Sequence, residues 1–137
     1  FKTMKDTSMN SSIKPCVFII GCEPVEHEES ERFAKRWFLV DEHDQFCSHT
    51  YADTLRTVNL RMNHGELVLR APGMLRLDIP VDVIEDDDSV CREVTVGTQT
   101  VKVVDEGDLA AVWFGNVVGA SCRLVKVHPD VPVPEFD

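Results

Sequence analysis

The chain has no uninterrupted apolar run approaching the ~18 residues that a membrane-spanning helix needs. Its N-terminal stretch, FKTMKDTSMNSSIK, lacks the apolar core and small-residue cleavage site of a secretory signal. Basic residues are scarce: 14 Lys and Arg stand against 24 Asp and Glu, a formal net charge of −10. Such a charge repels phosphate backbones and anionic lipid surfaces unless a local basic patch overrides it, and the sequence holds no such patch. Neither nucleic acid nor membrane is expected as a partner, and the expected location is cytoplasmic. Cys16, Cys22, Cys47, Cys91 and Cys122 are widely spaced and include no C-x-x-C pair, so zinc knuckles and dithiol redox centres are not expected, and reduced, packed thiols are. The five histidines form no H-x-x-x-H or H-x-H pair, and Asp86, Asp87 and Asp88 lack the spacing and distal Glu of a calcium loop. Ser48-His49 has no G-x-S-x-G context. With the common metal, calcium and hydrolase patterns missing, no metal and no catalytic residue is expected.

What the sequence does hold is a series of short β-type segments. Pro15 to Ile20 is an apolar run closed by Gly21. Glu23 to Arg32 is acidic without a clean period and could be a surface loop or a short helix. Trp37 to Val40 is continuously apolar, and Asp41 to Asp44 reads as a polar turn leading into Gln45 to Thr50, which predicts a hairpin. Leu55, Val58, Leu60 and Met62 give an imperfect alternation, Asn63-His-Gly65 a turn, and Leu67 and Leu69 the returning arm. Leu75, Leu77, Ile79 and Val81 alternate strictly, placing one face on a core. Glu85 to Asp88 reads as a solvated loop. Val90 to Val96 and Thr100 to Val104 flank Gly97-Thr-Gln99 as a further hairpin.

One helix is predicted, over residues ~106–118. Asp105 is positioned to cap it, Asp108 favours its positive end, Leu109, Val112, Trp113 and Val117 are expected to face the core, and Gly119 stops it. Cys122, Leu124 and Val127 form a last strand, after which Pro129, Pro132 and Pro134 forbid regular pairing. The domain reading is a disordered segment over 1–12, one β domain over 13–128 and a Pro-rich tail over 129–137. A chain of 137 residues can bury roughly 65–70% of its unfolded surface, so one core without staples is feasible. The expected fold class is mainly β: a small antiparallel barrel of about seven to nine short strands with the helix plugging an open end.

Four pieces resemble the β-barrel domain that precedes the MOSC domain in molybdenum cofactor sulfurases and amidoxime-reducing proteins. They are Ile13-Lys-Pro-Cys16, Arg36-Trp-Phe-Leu-Val-Asp41, Leu67-Val-Leu-Arg-Ala-Pro-Gly73, and Asp105-Glu-Gly-Asp-Leu-Ala-Ala-Val-Trp113 with Arg123-Leu-Val125. The resemblance covers roughly residues 13–129. It implies that a MOSC domain, which holds the molybdenum- or sulfur-bearing cysteine, would follow the tail. It also implies that the barrel lends basic and hydroxyl groups to the cofactor's pterin and phosphate. Here Lys14 stands at the family's lysine, Pro15 replaces its serine, Ala34-Lys35 replaces an Asp-Arg pair, and Thr50 stands for an arginine. Lysine does not reproduce arginine's planar two-point grip on phosphate, so molybdopterin enters by resemblance only and no tightly bound cofactor is expected. Lys14, Lys35 and Arg36 are the candidate anion-binding residues at the barrel mouth. The functional expectation is a non-catalytic accessory module, stand-alone, that binds a MOSC-domain or other protein, or a small anionic ligand. The alternatives are a fragment or subunit of a MOSC-type sulfur-transfer or reductase enzyme, and a structural oligomer.

Overall fold

The computed structural model describes residues 14–27, 33–81, 91–128 and 131–136, with backbone only for Lys14 and His27. The disorder expected over 1–12, the loop at Glu85 to Asp88 and Pro129 lie outside the described residues. Nine strands are described: β1 (Lys14–Cys16), β2 (Val25–His27), β3 (Trp37–Val40), β4 (Asn59–Asn63), β5 (Glu66–Arg70), β6 (Leu77–Pro80), β7 (Cys91–Val96), β8 (Gln99–Asp105) and β9 (Arg123–Val127). A 3₁₀ turn (Ser48–Tyr51) runs into the one-turn helix α1 (Ala52–Leu55), and α2 (Asp108–Val118) precedes β9. No helix among the described residues is long and apolar enough to cross a membrane.

The strands pair antiparallel in three sheets: β3-β9-β8-β7, β1-β2 and β4-β5-β6. The four-stranded sheet has apolar packing on both faces, which is why Trp37 to Val40 shows no alternation. Trp37 and Leu39 point into the larger core with Leu124, Phe114 and the β4-β5-β6 leucines, whereas Phe38 and Val40 point into a second core with Val94, Val96, Val101, Val103 and Val125. Register accounts for the partition, because Leu39 lies opposite Leu124 and Phe38 opposite Val125. Each fully buried side chain of this size stabilises the fold by roughly 1.5–3 kcal/mol.

The named strands do not close into a barrel. Instead, residues 44–46 hydrogen-bond both edges of the four-stranded sheet. Phe46 N–H donates to the Thr95 carbonyl (2.8 Å) and Thr95 N–H to the Asp44 carbonyl (2.9 Å), while Asp41 N–H donates to Gln45 (2.9 Å) on the β3 side. The Asp41 carboxylate sets up this clasp by accepting from the His43 and Gln45 N–H groups (2.8 and 3.1 Å).

Three expectations need correction. Gln45 to Thr50 does not continue as a hairpin arm: the chain leaves after Phe46, because buried Ser48 turns inward and its Oγ accepts the Leu39 N–H at 2.8 Å. Leu55 belongs to α1 rather than to the β4 alternation, since its side chain fills the space beside Gly21, where an added Cβ would sit 2.8 Å from Leu55 Cδ1. And α2 does not face the core through Leu109 and Val112. It packs on the larger core through Ala110, Trp113 and Phe114.

Candidate functional site

Helix α2 is apolar almost all round, DLAAVWFGNVV, so periodicity alone does not select its inner face. Packing selects Ala110, Trp113, Phe114 and, half-buried, Val117, so Trp113 and Val117 of the expected set face inward and Leu109 and Val112 do not. Leu109 and Val112 consequently point to solvent, 75% and 60% exposed. The Trp113 indole N–H donates to the Leu75 carbonyl (2.6 Å), tying that loop to the helix while the Leu75 side chain stays 86% exposed. Leu75 was expected to be an inward-facing member of the β6 alternation, but β6 begins only at Leu77. Leu109 and Val112, three residues apart on the helix, therefore share the outer side of α2.

Beside them runs a cleft of about 630 Å³ between α2 and the turn after β3. One wall is apolar, from Ala111, Val112 and Gly115; the other carries Asp41, Glu42, Asp44, Arg92 and Arg123. The two guanidiniums are already engaged in a ladder of ion pairs. Arg92 contacts Asp44 (2.8 Å) and Asp105 (3.5 Å), and Arg123 grips Asp105 through Nε (2.6 Å) and Nη2 (3.1 Å) and reaches Asp108 (2.7 Å). The ladder joins β7, β8, β9 and the start of α2. Asp105 is not the expected N-cap: it closes β8, Gly107 occupies the cap position, and the Asp105 carboxylate accepts the Gly107 N–H (2.8 Å). Burial acts to raise the Asp105 pKa, but the hydrogen bonds from Arg123 and Gly107 and the charges of Arg123 and Arg92 outweigh it, holding the group below the ordinary carboxylate value. With its arginines neutralised, the cleft presents surplus carboxylate and suits a basic occupant rather than an anion.

At the other end, the structure places the candidate anion residues as follows. The Arg36 Nη1 donates to the carbonyls of His128 (3.3 Å) and Val131 (3.0 Å), so this guanidinium holds the C-terminal tail. Lys35 is exposed, with a left-handed φ of 59° and its N–H bonded to the Val17 carbonyl. Lys14 lies in β1, and its side chain is outside the described residues. Of the described side chains at this end, Lys35 offers an exposed ammonium and the Arg36 guanidinium is engaged by two backbone carbonyls. Sequence reasoning did not single out Lys126, which lies over the Trp37 ring (5.0 Å to centroid) while the Trp37 indole donates to Glu106 (2.6 Å). Only the three-dimensional pairing of β3 with β9 brings those groups together. Among the described residues no group of three or more His, Cys, Asp or Glu could hold a metal ion.

Comparison with known proteins supplies the remaining evidence. The model of the MOSC N-terminal beta barrel domain matches residues 22–121. A protein of Bordetella bronchiseptica with a solution structure is 43% identical, covering 95% of this chain and 97% of its own, with a TM-score of 0.77. None of the curated proteins matches.

Proposed function

Because the chain belongs to the MOSC N-terminal β-barrel family, we propose that it is an accessory binding module that docks a protein partner on the outer side of α2. The observation that carries this reading is the exposure of Leu109 and Val112 on one face of α2, with Val112 lining the acidic cleft. Grouped large apolar side chains are uncommon on a surface that meets only water, and they mark interaction sites. Surplus carboxylate next to them selects a partner whose apolar ridge is bordered by Lys or Arg. A MOSC-type domain with such a ridge is the proposed partner. The module would serve molybdenum cofactor or sulfur-carrier metabolism through that partner rather than by holding the cofactor itself.

The test is an amide NMR titration of the labelled chain with a purified MOSC domain, beside a Leu109→Glu, Val112→Glu double variant. Saturable shifts at Leu109, Val112 and Asn116, lost in the variant, are expected. Shifts elsewhere, or none at about 100 µM partner, would overturn the assignment.

A further inference from the structure

The second core is completed by residues far along the chain. After β9 the backbone returns over the rim of the four-stranded sheet, and residues 131–136 lie against it outside any sheet. Val131 and Phe136 pack on the second core, and the Phe136 ring sits 5.4 Å from that of Phe38 and 5.2 Å from that of Phe46. Polar contacts from Gln99 and Arg36 reach the backbone of this segment. Gln99 Nε2 donates to the Glu135 carbonyl (2.9 Å) and Gln99 Oε1 accepts the Glu135 N–H (3.3 Å), a two-point grip like that of a neighbouring strand. Arg36 Nη1 donates a single bond to the Val131 carbonyl (3.0 Å).

Contacts of this kind read an extended backbone and one aromatic side chain, and leave the rest of the occupant's sequence free. They are the contacts by which peptide-recognition grooves hold extended segments. The tail does not fill the space. A pocket of about 430 Å³ remains beside Glu135, lined by Phe46, His49, Val96 and Gln99. We propose that this rim is a socket for an extended, proline-spaced polypeptide segment carrying an aromatic residue, presented by a partner protein and occupied here by the chain's own tail. The tail's composition, VPVPEF over residues 131–136, defines that occupant: Pro132 and Pro134 keep it extended and Phe136 fills the aromatic site. This socket is separate from the α2 surface, so the two readings stand or fall independently.

The test adds the peptide VPVPEFD to the full-length Phe136→Ala variant, following the Gln99 side-chain amide and the Phe46 and Thr95 backbone amides by NMR. Saturable shifts are expected, and the same peptide with alanine for phenylalanine should give none. The wild-type chain should bind at least ~10-fold more weakly, because a tethered tail competes at an effective concentration on the order of millimolar. Should Phe136→Ala fail to fold, Glu135→Pro removes the tail's N–H donor to Gln99 together with the Glu135 side chain, and keeps the socket residues Phe46, His49, Val96 and Gln99. No binding to either variant at millimolar peptide, or equal binding to variant and wild type, would overturn the proposal. So would a doubled mass showing tails exchanged between two copies, which would make a second copy the occupant.

Discussion

Asp105 is the residue through which β8, β9 and the start of α2 are joined, and its carboxylate is only 11% exposed. Because its native pKa is lowered, the stability it contributes is present above the unfolded carboxylate range and is lost as the pH falls through the native value. Asp105→Asn keeps the shape and loses the charge. At neutral pH it should lower urea-measured stability by about 1–2 kcal/mol, a range discounted for the part-exposed Arg123. The gap from wild type should close in acid. The buried thiols behave in the opposite sense. Burial, with the Glu23 charge adding, pushes Cys22 from 9.0 to about 12, burial with Cys122 and Asp41 pushes Cys47 to about 12, and burial pushes Cys122 to about 11. The native state keeps these protons after the unfolded chain has released them, so stability should fall as the pH rises above about 9.0, the ordinary value. At pH 8 a thiol reagent should modify the half-exposed Cys16 and Cys91 quickly and the other three only on unfolding, countable by mass spectrometry.

Among the elements, α2 separates what sequence can and cannot specify. Its existence, its acidic start at Asp108 and its stop at Gly119 were legible. Gly119 has a left-handed φ of 75°, and its N–H donates to the Gly115 carbonyl (2.8 Å). Its inner face was legible in part: Trp113 and Val117 face the core as expected, but Ala110 and Phe114 offer as apolar a stripe as Leu109 and Val112, which do not. The choice was made by β9 and the β4-β5-β6 sheet, through contacts distant in sequence. Leu109→Glu with Val112→Glu should therefore change stability by no more than about 0.5 kcal/mol, whereas Trp113→Ala should cost about 3–5 kcal/mol, both by thermal or urea unfolding. The hairpins β4-β5 and β7-β8 were readable because turn residues sit between alternating runs. The departure at Ser48 was not, since a buried hydroxyl serving the Leu39 N–H leaves no periodic trace. Gly21 adopts a φ of 97°, and any side chain there meets Leu55, so Gly21→Ala combines backbone strain with a clash and should unfold the chain at a visibly lower temperature.

At the scale of the molecule, one four-stranded sheet separates two cores. The larger is covered by α2 and the β4-β5-β6 sheet, and the smaller is enclosed by residues 44–46 and the tail. A mainly β fold with one late helix and a final strand was readable from the order of the segments. The surfaces that matter for binding were not, because each depends on what folds back onto what. The tail's prolines were expected only to break pairing, yet Phe136 completes a core with Phe38 and Phe46. The ion-pair ladder likewise unites Asp44, Arg92, Asp105, Asp108 and Arg123 from four separate segments.

The clasp at residues 44–46 also bears on how fast the chain reaches this structure. Its bonds join Asp44 and Phe46 to Thr95, groups separated by more than a third of the chain, so forming them means closing a long loop for very few contacts. They gain a template only once the β7-β8 hairpin and the β3-β9 pair exist. Closure therefore belongs after the folding transition state, and weakening it should quicken unfolding while leaving the refolding rate nearly unchanged.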